Sequence, residues 1–264
     1  MIKDWNKSMT LNNMNEPWNL RTVETREADT LPLFIIFCED KVSEPIYFKY
    51  FETSLIKVNL IGDQKSKLEN VNKAISDCIE KGFMEHGNGV YKLKVENTQI
   101  WCVFDRDVDN KKKNQVESNT SFTHSIKMAD DSGLKVAWSN DAFELWILLH
   151  FEDVDATIDE NKNRKTYYNR LTDIFRNLPN PNEDLIKALA YHGFSYKGTL
   201  KSENNFRNIV RNEIVGKTNE AIARAKTLML KYESNPPKPH HEKSPCTMVY
   251  LLVEELLRLG KKDI

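Results

Sequence analysis

No two cysteines in this chain are spaced as a CxxC pair. Cys38, Cys78, Cys102 and Cys246 are scattered, and Cys38 and Cys102 fall within apolar, strand-like runs. That distribution points to reduced, buried thiols in place of a zinc ribbon or a disulfide framework. Long apolar runs are also missing. The longest, Phe143 to Phe151, is interrupted by Glu144 and is far too short to span a bilayer. The opening Met-Ile-Lys-Asp-Trp-Asn-Lys has neither the apolar core of a signal peptide nor an Arg-rich transit pattern. A soluble, cytoplasmic protein with no membrane partner is expected. An excess of charge of one sign is lacking as well: 38 Lys and Arg face 39 Asp and Glu, a formal net charge of −1. No global field attracts a polyanion, so any nucleic acid must be met by a local basic patch or by metal ions. Coiled-coil heptads are absent, and the sequence specifies no oligomeric state.

A chain of 264 residues with 40% hydrophobic residues can bury a substantial core in one or two domains. Residues 1–30 have little periodicity and read as an N-terminal extension. Leu33 to Cys38 is a continuous apolar run of strand length, as expected for a strand covered on both faces. A helix follows, with Ser43 as its cap, Glu44 and Pro45 in its first turn, and Tyr47, Tyr50, Phe51, Leu55 and Val58 at helical spacing. Val58 to Ile61 is a weaker strand, and Lys65 to Phe83 predicts a second helix. Ile100 to Phe104 repeats the buried-strand pattern. After it come a lysine-rich loop, a short helix near His124 to Asp130, and a strand at Leu134 to Trp138. This alternation predicts an α/β core over 31–152: a mostly parallel four-stranded sheet with helices on both faces. Its ligand site belongs beyond the carboxyl ends of the strands. From residue 153 to 264 the strand signal disappears, and a C-terminal helical annex is expected.

The chemistry concentrates at that sheet edge. Glu39 stands directly after the first strand, and Asp105 and Asp107 directly after the third, with Asp109 just beyond. Hard oxygen ligands in this arrangement suit Mg²⁺ or Mn²⁺. An EF-hand starting at Asp105 fails on counting, since Asn110 and Val116 stand where Gly and Glu are needed. A DxD phosphatase, with Asp105 as nucleophile, is a weaker alternative because its motif normally follows the first strand. Glu144 lies in a strongly apolar segment. It either points into the site, where a cation meets it, or is an exposed helix-start residue favoured by the macrodipole. Lys111, Lys112 and Lys113 read equally as phosphate-backbone contacts or as a solvated loop. Lys197, beside Tyr196, is either a cation for a developing phosphate charge or a surface lysine. His240 and His241 read as loop residues.

Several of these blocks resemble the RloB-like family, which belongs with the Toprim nucleases of bacterial defence. The likeness rests on Phe37-Cys38-Glu39 with Glu44-Pro45 and Tyr47-Phe48, and on Trp101 through Asp107. It continues in Ser139-Asn140, in Phe143-Glu144-Leu145-Trp146 with Leu148 to Phe151, and in Ser244-Pro245-Cys246-Thr247. It spans about residues 33–255. Asp40 stands where glycine is expected after the glutamate, and Asp141 where the family usually has proline. The resemblance implies a Toprim-like fold, with Glu39 as metal ligand or general acid/base and Asp105 and Asp107 binding Mg²⁺. It also implies a role in antiphage defence or abortive infection beside an ABC-type or OLD-like ATPase partner. The expected function is therefore a Mg²⁺-dependent nuclease acting on DNA or RNA. The rival is a non-catalytic subunit that binds a nucleotide or nucleic-acid end in the same pocket.

Overall fold

The computed structural model describes residues 31–64, 67–107, 112–234 and 236–262, with residues 112–114 described for the backbone alone. The N-terminal extension expected at 1–30 lies outside the described residues, as do Asp109 and Lys111.

Strands β1 (Leu33–Cys38), β2 (Lys57–Ile61), β5 (Thr98–Asp105), β6 (Lys135–Asn140) and β7 (Cys246–Thr247) form one sheet in the order β2-β1-β5-β6-β7. The first four are mutually parallel, and β7 runs antiparallel to β6. A separate hairpin joins β3 (Met84–Gly87) to β4 (Val90–Leu93) through Asn88 and Gly89, both at positive φ, the backbone that a two-residue turn of this kind requires.

The sheet is thus five-stranded, where the sequence predicts four. Two residues are too few to show a period, and tertiary contacts recruit β7. The Ser139 and Thr247 hydroxyls bond each other at 3.0 Å, and the Met248 N–H donates to the Trp138 carbonyl at 2.8 Å.

Continuous apolar strands are explained by cover on both faces. Phe34, Ile36, Trp101, Val103 and Ala137 point to one layer, and Ile35, Phe37, Ile100, Cys102, Phe104 and Trp138 to the other. The second layer is α2 (Leu68–Glu80) and α3 (Lys112–Asp131). The first holds α1 (Ser43–Lys49), α4 (Glu144–Leu149), α5 (Arg164–Arg176), α6 (Glu183–Leu189) and a broken helical stretch. That stretch passes from π-helical Tyr196–Leu200 through α7 (Glu203–Asn205), π-helical Phe206–Val210 and α8 (Arg211–Ile214). Helices α9 (Thr218–Leu230) and α10 (Val249–Gly260) complete the layer. One hydrophobic cluster runs from β1 to α10, so the helices beyond residue 153 share their core with the sheet.

Helix α3 corrects a second expectation. It begins at Lys112, so Lys112 and Lys113 belong to a helix backbone where the sequence suggests a loop. Only its later turns bury apolar groups, Phe122, Ile126 and Ala129, and its polar first half carries no period to read. All four cysteines are free and buried. No helix among the described residues is long and apolar enough to cross a membrane.

Candidate functional site

Parallel register brings three loops to one edge. Cys38 pairs with Val103, and Asp105 with Ser139, so the residues after β1, β5 and β6 emerge side by side. The Glu39 N–H donates to the Val103 carbonyl at 3.1 Å, and Glu39 Oε2 accepts the Asp105 N–H at 3.0 Å. Asp105 Oδ2 in turn accepts the Phe143 N–H at 3.0 Å. Asp107 has φ 52°, a left-handed backbone that Asp tolerates, and its N–H reaches the Asp141 carbonyl at 3.2 Å. Between the two aspartates, Arg106 turns the other way. Its guanidinium donates to Asn119 Oδ1 on α3 and to Asn140 Oδ1 on β6, tying the loop to both.

Asn140 is itself a hub. Its Nδ2 donates to the carbonyls of His240, His241 and Lys243, at 3.2, 3.3 and 2.8 Å, and so seats the loop that leads into β7. His240 and His241, which the sequence suggests as loop residues, open a short 3-10 helix, His240–Glu242, and contribute backbone carbonyls here.

Four carboxylates share the edge. Burial, the Asp107 charge and a hydrogen bond with Asp107 push the Glu39 carboxyl up to about 8, against an opposing hydrogen bond from the Asp105 N–H. Asp105 is held well above the usual carboxylate range by burial and by the charges of Glu39 and Asp107. Glu44, which the sequence suggests only as a first-turn residue, is a buried member of the same cluster. Burial and the charges of Asp105, Glu39 and Asp40 raise its proton affinity strongly. Its signal in the sequence is the Glu-Pro step after the first strand, which also suits an ordinary helix start.

Asp40 serves the backbone. Its two oxygens accept the N–H groups of Val42 and Ser43, each at 3.0 Å, while Glu44 Oε2 accepts the Asp40 N–H at 3.1 Å. This reciprocal cap replaces the freedom that glycine offers at this turn. Burial pulls the Asp40 carboxyl upward, but these N–H groups, the Ser43 side chain and the Lys201 charge outweigh it and hold it below its ordinary value.

Cations surround the acidic edge. Asp141 is 1% exposed and takes the Arg164 backbone N–H and Nε on Oδ2, and Nη2 on Oδ1. Arg164 Nη2 also reaches Asp107 Oδ1 at 2.5 Å. Lys67 donates to Ser118 Oγ at 2.9 Å and sits in the field of Asp107 and Glu39. Glu144 is turned inward: its side chain is 3% exposed and forms an ion pair with Lys201 at 2.7 Å. Its charge is felt at Asp105.

Nothing local in the sequence marks Lys201. It directly follows the π-helical turn Tyr196–Leu200 that carries Lys197, and both ammonium groups approach one ring. Lys197 Nζ lies 5.6 Å and Lys201 Nζ 5.8 Å from the centre of Tyr168. Lys197 itself is exposed and makes no ion pair among those found for the described residues. Behind them the buried Tyr196 hydroxyl has no hydrogen-bond partner among the described residues. Of Lys112 and Lys113 only the backbone is described, and Asp109 and Lys111 fall outside the described residues.

Among the described residues, no three His, Cys, Asp or Glu side chains converge into a ready-made metal cage. The donor set nonetheless fits a hard divalent cation in kind. Glu39, Asp105 and Asp107 offer only oxygens, their burial and mutual repulsion raise the proton affinity of Glu39 and Asp105 despite the Lys67 and Arg164 charges nearby, and a guanidinium already stands against Asp107 as a stand-in cation.

The fold and site define a class: an α/β protein with a mostly parallel sheet, an acidic cluster at its carboxyl edge, and a wall of Lys, Arg and Tyr facing it. The model of the RloB-like protein family matches residues 34–256, and the chain belongs to that family. No curated protein and no solved structure matches the chain.

Proposed function

We propose that the protein is a Toprim-type nuclease that hydrolyses phosphodiester bonds of nucleic acid with the aid of Mg²⁺ or Mn²⁺. The observation that supports this most directly is the convergence of Glu39, Asp105 and Asp107 at one sheet edge, with the proton affinity of Glu39 raised to about 8. Carboxylates kept close together against their own repulsion are characteristic of a cation site. Glu39, Asp105 and Asp107 would hold the ion. A bound divalent ion supplies Lewis acidity toward a phosphoryl oxygen and lowers the pKa of its water. Without the ion, burial and the Asp107 charge make Glu39 hold its proton more tightly than an ordinary carboxyl, and a bound cation would favour its release. Asp105 is oriented by the Phe143 N–H, and Arg164, Lys67 and Lys197 offer positive charge to a phosphate backbone at the rim.

An antiphage role and an ABC-type or OLD-like ATPase partner follow from the family resemblance, a cytoplasmic setting follows from the scattered, reduced cysteines, and all three belong to the same proposal. Purified protein incubated with Mg²⁺ or Mn²⁺ and single-stranded DNA, duplex DNA, RNA or transfer RNA, alone and with such an ATPase, is expected to cleave at least one of them. Asp105→Asn and Asp107→Asn are expected to abolish that cleavage.

The rival, a non-catalytic binding subunit, is favoured by the Arg164 contact that already occupies Asp107. Tight Mn²⁺ binding with no cleavage of any substrate, with or without the partner, decides for it.

A further inference from the structure

We propose that Arg164 is the resting counter-cation of Asp107, and that a divalent ion enters the acidic cluster by displacing its guanidinium from that carboxylate. The inference rests on the metal-dependent reading above and concerns how the same site is loaded.

The hydrogen-bond pattern around Arg164 Nη2 carries the argument. This one nitrogen has two hydrogens and three acceptors: Asp107 Oδ1 at 2.5 Å, the Asp141 carbonyl at 2.6 Å and Asp141 Oδ1 at 2.9 Å. One acceptor is surplus, so Asp107 can leave without orphaning a donor.

The two carboxylates are not equivalent. Asp141 is almost fully buried and is also bonded to the Arg164 backbone N–H and Nε, which fixes it to the first turn of α5. Asp107 has a side chain 40% exposed and is the partner that can swing. Arg164 therefore keeps its anchor on Asp141 whether or not it holds Asp107.

The same contact explains why a set of oxygen donors suited to a cation is not assembled into a cage. Asp107 is engaged by the guanidinium, while Glu39 and Asp105 use one oxygen each on the N–H groups of Asp105 and Phe143. The guanidinium brings one positive charge to Asp107. A divalent ion brings two charges to the same oxygens, which favours the exchange once it is present at sufficient concentration.

The test reads metal affinity without turnover. Mn²⁺ isotherms are measured calorimetrically on the full chain, on Arg164→Gln, on Arg164→Lys and on the double variant Asp141→Asn/Arg164→Gln, with folding checked by near-ultraviolet circular dichroism. Arg164→Gln is expected to bind Mn²⁺ about tenfold more tightly than the parent, the scale of one lost charge-assisted hydrogen bond. Arg164→Lys, which keeps a cation, is expected to fall between them. Should Arg164→Gln fail to fold because buried Asp141 loses its partner, the double variant carries the comparison, since a neutral amide then replaces that carboxylate. Mn²⁺ affinity that is unchanged or weaker in the folded variants overturns the displacement while leaving the metal site intact. Absence of Mn²⁺ binding in every protein overturns the metal reading and this inference together.

Discussion

Replacing Lys201 with alanine is expected to destabilise the protein by about 3 kcal/mol, whereas Lys197→Ala changes stability by less than about 1 kcal/mol. The contrast follows from what each ammonium meets. Lys201 pairs at 2.7 Å with Glu144, a side chain 3% exposed on a helix whose every residue is buried. Removing one partner of a buried pair typically costs about 3–5 kcal/mol, because the remaining charge is left without compensation. Lys201 is itself 31% exposed, so water can enter its place, which puts the expectation at the lower end. Lys197, four residues earlier, is exposed and lies 5.6 Å from the Tyr168 ring, an interaction of about 0.5–1 kcal/mol at such a site. A loss of 3 kcal/mol is a large part of the 5–15 kcal/mol that ordinarily holds a domain folded. Urea unfolding at neutral pH in chelator-treated buffer measures both variants. The double variant Glu144→Gln/Lys201→Met is expected to recover most of the loss, giving a clear coupling in the double-mutant cycle. If Lys201→Ala unfolds at the same urea concentration as Lys197→Ala, Glu144 does not depend on Lys201, and the charge balance of the site described above is wrong.

Asp105→Asn is expected to abolish cleavage and yet raise metal-free stability by about 1 kcal/mol, since the amide cannot take on the buried charge that burial, Glu39 and Asp107 disfavour there; a lower unfolding midpoint in chelator contradicts this. Metal-free stability is expected to fall as pH rises from about 4.5 to about 8. Glu39 holds its proton more tightly in the folded state than at its ordinary 4.5, so the folded chain binds more protons across that window and loses relative stability as they leave. Melting at several pH values in chelator checks the sign, and added Mn²⁺ should oppose the trend. Asn140→Ala is expected to cost about 2–3 kcal/mol and to speed hydrogen exchange through residues 240–248, because three loop carbonyls lose their donor. Unchanged exchange there would show that the loop is held by other contacts.

The sequence alone determined the elements with strong periods and the residues at their ends. Apolar runs at Leu33 to Cys38 and Ile100 to Phe104 had to be strands covered on both faces, and alternation with helices made the sheet parallel. Those two facts put Glu39, Asp105 and Asp107 on one edge. The hairpin at Asn88-Gly89 is also legible, through a two-residue turn that requires positive φ at both positions. What the tertiary structure decided was pairing between residues far apart in the chain. A two-residue strand such as Cys246–Thr247 has no period, so only its contacts with Ser139 and Trp138 reveal it. Glu44 looks like a helix-start residue until the sheet places it among the other carboxylates. Lys201 and Lys197 cannot be ranked from sequence, because they lie four residues apart and only the position of Glu144 distinguishes them. Arg164 is the clearest case. Its role depends on Asp107 and Asp141, 57 and 23 residues away, and on a guanidinium that reaches both carboxylates at once. Local patterns encode which face of an element is apolar. The partner of each charge is set only when the folded chain brings distant loops within hydrogen-bonding distance.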